Sequence, residues 1–205
     1  MKDLSRQIRR AAARWLFTDR DMRMHYVAEE YGFGGRTADV IGYSRAREEV
    51  RGVYRKVDSE WFAYKISRRV SEKTIIHPAE VRIVEVKISR ADLLGGIRKG
   101  QVANDGNGFG VFADFCYLAG PRGLIDARDL PDGWGLLEFD ARANGDFIYL
   151  SQKPTRLTPT HPLTASADLA HRLAQSALWR LYGFGRTSPE ELDPELAREL
   201  VEVVR

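Results

Sequence analysis

Two short segments place charged residues where a buried strand would carry apolar ones. Asp39 lies in TADVIGYS, and Glu85 and Lys87 lie in VRIVEVKI, the most strand-like stretch of the sequence. Because residues two apart on a strand share a face, Glu85 and Lys87 interrupt an otherwise apolar face. Buried carboxylates are costly unless they are paired or bind a cation. The pattern therefore predicts either an ion pair or a cation site.

This set of oxygen ligands favours a hard cation. If the two strands are neighbours, Asp39 and Glu85 can bind one Mg²⁺ or Mn²⁺, with the backbone carbonyl of Val86 as a further ligand. Such a site suits phosphodiester hydrolysis, because the cation polarises the phosphate while Lys87 orients a water or neutralises developing charge. We therefore predict that Asp39, Glu85 and Lys87 are catalytic.

The elements that must position these residues form an α/β pattern. Alternating apolar residues predict the strands, and capping motifs with amphipathic runs predict the helices. The predicted helices cover residues 5–17, 89 to a break at Gly95 and Gly96, 164–183 and 187–205. The predicted strands cover 22–30, 37–44, 81–88, 111–119, 136–140 and 147–152. We expect a central mixed sheet flanked by helices.

Two segments fit this scheme less well. Residues 45–80 are compatible with a helix capped by Asp58 or with a charged hairpin, and they hold nine basic residues and four aromatic ones. Bases interleaved with aromatics can bind nucleic acid, although a satellite hydrophobic cluster is the plainer interpretation. Residues 95–110 contain six glycines and are expected to be mobile.

Asp39 followed by Glu85-x-Lys87 on consecutive core strands resembles the PD-(D/E)XK nuclease superfamily, whose members share a restriction-endonuclease-like core. The blocks RTADVIGYS, IVEVKISRADLL, Arg98-Lys99, FADFCYLAG and PDGWGLLEFD also resemble, in this order, the MmcB-like family of proposed DNA-repair nucleases. The resemblance spans about residues 4–182 without 45–80. It implies a deoxyribonuclease in DNA repair, recombination or phage-type processing, with Asp39, Glu85 and Lys87 in its active site.

The resemblance also suggests further metal ligands and DNA contacts near these three residues. Superfamily members often add an acidic residue from an upstream element, which Glu29 or Glu30 would supply here. Ala38 stands where the superfamily name has proline, and the insertion at 45–80 leaves the substrate open. A DNA-binding module that keeps the fold without cleaving is the alternative function. The candidate DNA contacts are Arg36, Ser89, Arg90, Lys99 and Gln101, for which capping and solvated-surface roles are the plainer alternatives.

The composition is that of a globular protein with a basic body. Of 205 residues, 43% are hydrophobic, and the net charge of +3 divides into +7 for residues 1–186 and −4 for the predicted acidic helix 187–205. We expect a single nuclease-like domain over 1–186 with DNA as partner. The lone Cys116 excludes an internal disulfide and a cysteine-based zinc site. With no apolar run that could span a bilayer, we expect a cytoplasmic protein without membrane contact, and a homodimer stays open.

Overall fold

A mixed sheet of six strands lies at the centre of the chain, as predicted. The structure, a computed structural model, describes residues 2–18, 24–33, 35–58, 65–106, 108–142, 145–165, 169, 172 and 173. Most of the predicted helix 164–183 and all of the predicted helix 187–205 lie outside these residues. The helices and longer strands that are described are α1 (Lys2–Thr18), β1 (Tyr26–Phe33), β2 (Arg36–Ser44), β3 (Arg47–Asp58), β4 (Lys65–His77), β5 (Glu80–Val86), α2 (Arg90–Arg98), β6 (Phe115–Pro121), β7 (Gly135–Arg142) and β8 (Gly145–Gln152).

The sheet has the order β1-β2-β5-β6-β7-β8. The outer pairs β1–β2, β2–β5 and β7–β8 are antiparallel, whereas β5–β6 and β6–β7 are parallel. A parallel pair needs a crossover, and α2 with the loop after it provides the one between β5 and β6. The α/β class and the central mixed sheet are therefore confirmed.

A helix covers each face of the sheet. On one face α1 buries its apolar side against β2, β5 and β7, through Ile8, Ala12, Leu16, Val40, Val84 and Leu137. On the other face α2 and the loop after it cover the alternate residues of β2, β5 and β6, through Leu93, Val102, Phe109, Ile41, Ile83 and Leu118. Neither described helix is long and apolar enough to cross a membrane.

Residues 47–58 and 65–77 form two antiparallel strands, as in the hairpin interpretation, so the helical interpretation is wrong over 65–70, and its residues 59–64 lie outside the described part of the chain. β3 and β4 pair antiparallel from Arg47↔His77 to Asp58↔Lys65 and make a separate two-stranded sheet. β4 occupies residues 65–70 of the predicted helix, and its pairing with β3 stabilises the extended backbone there. The hairpin is inserted between β2 and β5, which pair directly with each other.

Helix α2 continues through Gly95 and Gly96 to Arg98, so the predicted break at these glycines is wrong. A glycine inside a helix costs only about 1 kcal/mol relative to alanine. The helix start is well capped, because Ser89 Oγ accepts the backbone N–H of Asp92 at 3.1 Å. Two glycines in an otherwise stable helix therefore do not end it.

The loop from 99 to 114 is packed rather than open. Val102 and Phe109 are buried in the core, and a 3₁₀ turn spans Phe109–Val111. This turn lies where the sequence predicts the start of the next strand, so β6 begins at Phe115 and not at 111. Burial of the aromatic and aliphatic side chains holds the glycine-rich backbone in place.

Candidate active site

The register of β2 against β5 brings Asp39 and Glu85 together. The ladder between these strands runs from Ser44↔Glu80 to Val40↔Val84, so Asp39 and Glu85 occupy the next positions of the two strands. Residues opposite each other on antiparallel strands share a face of the sheet. The two carboxylates therefore meet at one end of the β2–β5 pair, as expected if the strands were neighbours.

Backbone and ammonium donors hold the two carboxylates. Asp39 Oδ2 accepts the backbone N–H of Val86 at 2.8 Å, and Glu85 Oε1 accepts a hydrogen bond from Lys87 Nζ at 2.8 Å. Glu85 and Lys87 are almost completely buried, with 5% and 4% of their surfaces exposed. Asp92 on α2 adds a third acid, with its Oδ1 4.0 Å from Lys87 Nζ. Glu85 and Lys87 thus lie inside the protein, whereas Asp39 is partly buried and Asp92 is exposed.

Burial makes the two carboxylates weaker acids than usual. Desolvation first, and then the neighbouring charge of Asp39, raise the pKa of Glu85 to about 7. Desolvation also raises the pKa of Asp39, although the Val86 N–H and the charges of Lys87 and Arg9 oppose the rise. The two groups lie close enough for protonated Glu85 to donate to Asp39. In the absence of a cation the site therefore favours one shared proton near neutral pH.

The donor set fits a hard divalent cation. Glu85 Oε2 is buried without a hydrogen-bond partner among the described residues, which is costly unless a proton or a cation occupies it. No group of three His, Cys, Asp or Glu residues arranged for a metal occurs in the described part of the chain. A cation at this site would instead take three oxygens, from Asp39, Glu85 and the Val86 carbonyl. Water and phosphate would complete its coordination shell, which Mg²⁺ tolerates.

Glu29 and Glu30, the predicted upstream acids, lie on β1 beside Asp39. Glu29 pairs with Val40 across the β1–β2 ladder, and Glu30 comes next with a left-handed φ of 51°. The Glu30 carboxylate forms an ion pair with Arg9 of α1. Arg9 in turn is near enough for its charge to lower the pKa of Asp39. Arg9 lies on the helix predicted over residues 5–17, and the sequence gives no sign of this neighbour.

Gly96 is the other site residue that the sequence analysis missed. A Cβ added to Gly96 would lie 3.0 Å from Lys87 Cε and 3.1 Å from Lys87 Nζ. Real Cβ atoms rarely come so close to a neighbour, so the absence of a side chain at position 96 gives the Lys87 ammonium its space. The sequence predicts a helix break at the two glycines of α2 and therefore gives no indication of this role.

The five predicted DNA contacts lie on the sheet, at α2 and just after it. Ser89 caps α2, and Arg90 donates to both carboxylate oxygens of Asp129, one of them at 2.7 Å. The guanidinium of Arg36 lies 5.2 Å from the ring centre of Phe112. Lys99 is exposed at the end of α2, and Gln101 is half-buried in the loop after it. Ser89 and Arg90 thus have structural partners of their own.

Comparison with known proteins shows the fold but not the function. No protein-family model matches the chain, and no curated protein matches it. A solved structure, described as the SPO1766 protein of unknown function from Silicibacter pomeroyi, is similar with a TM-score of 0.51 at 19% identity. The match covers 93% of this chain and 96% of that one. At this identity the likeness concerns the α/β fold alone.

Proposed function

We propose that the chain is a metal-dependent nuclease that hydrolyses DNA phosphodiester bonds, with a restriction-endonuclease-like core of the PD-(D/E)XK type. The observation that carries the proposal is the cluster of Asp39, Glu85 and Lys87. Glu85 and Lys87 are buried, Asp39 is partly buried, and one oxygen of Glu85 has no hydrogen-bond partner among the described residues. A purely structural ion pair needs one acid and one base, whereas this cluster holds an extra carboxylate. Groups whose pKa values are strongly shifted by burial and by a neighbouring charge cluster at functional sites.

The three residues have separate roles in the proposed reaction. Asp39, Glu85 and the Val86 carbonyl hold Mg²⁺ or Mn²⁺, which when bound polarises the phosphate and acidifies water. In the overall hydrolysis, water gives its oxygen to phosphorus and a proton to the leaving ester oxygen. Lys87 has three N–H donors, of which Glu85 Oε1 takes one. The others can orient the attacking water and neutralise charge on the phosphate oxygens.

Divalent-dependent nicking of supercoiled plasmid tests the proposal. Wild type, Asp39→Asn and Lys87→Ala are compared in Mg²⁺, Mn²⁺ and EDTA, with circular dichroism to establish that each is folded. Glu80→Gln is the matched control, because Glu80 is an acid of the same strand that pairs with Arg82 at its other end. We expect nicking by wild type and Glu80→Gln only.

Two results would contradict the proposal. If Asp39→Asn and Lys87→Ala cut as fast as wild type, these residues are not the active site. If wild type retains plasmid in a gel-shift assay but cuts it in neither cation, the chain is the alternative, a DNA-binding module without cleavage.

A further inference from the structure

The hairpin β3–β4 is a long ribbon that stands outside the central sheet. Its strands span 12 and 13 residues, which at about 3.4 Å per residue gives a length of about 40 Å. It pairs with no strand of the six-stranded sheet. Because an isolated two-stranded ribbon is marginally stable in water, a partner is expected to cover it.

The register sets basic residues opposite one another on one face of the ribbon. Arg51 pairs with Lys73 and Arg55 pairs with Arg68, after a register shift that keeps these pairs on the same face. At the base of the ribbon Arg47 pairs with His77 on that face too. Like charges directly opposite each other destabilise a strand pair. We call this the basic face.

The other face is balanced in charge. Its register positions include three bases and three acids, and Asp58 pairs with Lys65 there. Among the paired positions 47–58 and 65–77, the basic face has one acid, Glu49, whose carboxylate contacts His77 Nε2 at 3.0 Å. The positive charge of the ribbon is therefore concentrated on one side, which is an arrangement for a polyanion rather than for solvent.

We propose that the basic face of the β3–β4 ribbon binds the phosphate backbone of duplex DNA. The choice of DNA rests on the proposed function, whereas the polyanion rests on the register alone. A two-stranded ribbon fits the major groove, about 12 Å wide, and the basic positions 47, 51 and 55 recur about every 14 Å along it. The hairpin joins β2 and β5 at Ser44 and Glu80, the ends remote from Asp39 and Glu85. The ribbon thus adds a contact beyond the active site.

Binding without cleavage tests this role. Fluorescence anisotropy with a labelled 20-base-pair duplex in EDTA is measured against salt for wild type and two triple variants. Arg51→Gln/Arg55→Gln/Arg68→Gln removes three charges from the basic face, and Lys56→Gln/Lys65→Gln/Arg69→Gln removes three from the other. Both variants have the same net charge, so they differ only in the face that is changed.

We expect the basic-face variant to bind about 10- to 100-fold more weakly, with the slope of log K against log salt reduced by about 3. The control variant should change affinity less than about threefold. Equal weakening of both variants, tighter binding of single strands or RNA than of duplex, or no duplex binding by wild type would overturn the proposal.

Lysine acetylation of the wild-type protein gives a second readout if the basic-face variant does not fold. Duplex DNA should protect Lys73, on the basic face, but leave Lys56 and Lys65 reactive; equal protection of all three contradicts the assignment. Plasmid nicking in Mg²⁺ separates the two proposals. Binding on the basic face without nicking overturns the nuclease, and nicking with equal binding by both variants overturns the ribbon.

Discussion

Two acid–base pairs of the same spacing lie at the two ends of β5, Glu80 with Arg82 at its start and Glu85 with Lys87 at and just after its end, and their surroundings differ. At the balanced end, Arg82 donates to Glu80 Oε1 at 2.8 and 3.1 Å and to the Tyr117 hydroxyl at 2.6 Å. At the acidic end, Lys87 donates to Glu85, but Asp39 adds a second carboxylate. An acid-x-base tripeptide therefore carries no functional meaning until the third group beside it is known.

The difference is one of charge balance. The guanidinium of Arg82 also lies 4.3 Å from the centre of the Phe115 ring, so the balanced end is closed by packing as well as by hydrogen bonds. The acidic end keeps an unpartnered Glu85 oxygen and a pKa raised to about 7. We therefore expect the balanced end to stabilise the fold, and the acidic end to cost stability in exchange for cation binding.

The largest expected effect is on catalysis and separates the two bases. Lys87→Gln should lower the rate of plasmid nicking by about 100-fold or more, because its charge faces the reacting phosphate in the proposed mechanism. Arg82→Gln should leave the nicking rate near that of wild type but lower the free energy of unfolding by about 2 kcal/mol, since it leaves Glu80 without its partner. Nicking rates and urea unfolding of both variants check this. If Lys87→Gln and Arg82→Gln lost nicking activity equally, the claim that only the acidic end of β5 is catalytic would be wrong.

The second effect is on stability against pH and separates the two acids. Glu85 has a pKa of about 7 in the folded protein against an ordinary 4.5, so between these values the native state holds a proton that the unfolded chain releases. Stability in EDTA should therefore fall as pH rises through this window. Glu85→Gln should remove the fall and raise the free energy of unfolding at pH 8 by about 3 kcal/mol.

Glu80→Gln is the control, because it removes an acid that has a base of its own. We expect it to lower or leave unchanged the free energy of unfolding at pH 8. Urea unfolding at pH 5, 6, 7 and 8 measures both variants. If wild type and Glu85→Gln lose stability in parallel over this range, burial of Glu85 is not the cause of the slope.

A smaller effect is expected from the cation itself. Mn²⁺ at tenfold excess over its Kd should stabilise the wild-type protein at pH 8 by about 1.4 kcal/mol, a shift of a few degrees in Tm. Asp39→Asn should lose this shift and Glu80→Gln should keep it. Thermal melting with and without Mn²⁺ measures all three proteins. A shift that survives in Asp39→Asn would place the cation elsewhere.

The sequence predicts those strands whose apolar residues alternate within the strand itself. Alternation of apolar residues predicts β2 and β5, and their pairing follows once the inserted hairpin is set aside. The helical interpretation of 65–70 failed because the choice between helix and strand there depends on pairing with β3, a separate segment of the chain. The same pairing creates the basic face, which no reading of one strand alone could show.

The sequence could not predict contacts between a helix and a distant strand, and the reason is physical. Arg9 belongs to an amphipathic helix whose arginines all look solvated, and its ion pair with Glu30 exists only because α1 crosses β1 in the folded chain. The sequence could predict that Asp39 and Glu85 meet if their strands are neighbours, because side chains alternate along a strand with a fixed period. The sequence could not place Arg9 near them, since no local pattern fixes where a helix crosses a sheet.

The smallest effect tests the space around Lys87 by comparing adjacent glycines of α2. Alanine at Gly95 meets nothing within 4 Å, so Gly95→Ala should stabilise the helix by up to about 1 kcal/mol and leave nicking unchanged. Gly96→Ala gains the same helix propensity but brings a methyl group to about 3 Å from the Lys87 ammonium. Because a flexible lysine end can move aside, we expect a loss of about threefold to tenfold in nicking rate, with Mn²⁺-induced stabilisation retained. Equal nicking by the two variants would mean that the position of Lys87 is not limiting, and that the acidic end needs its charge but not its geometry.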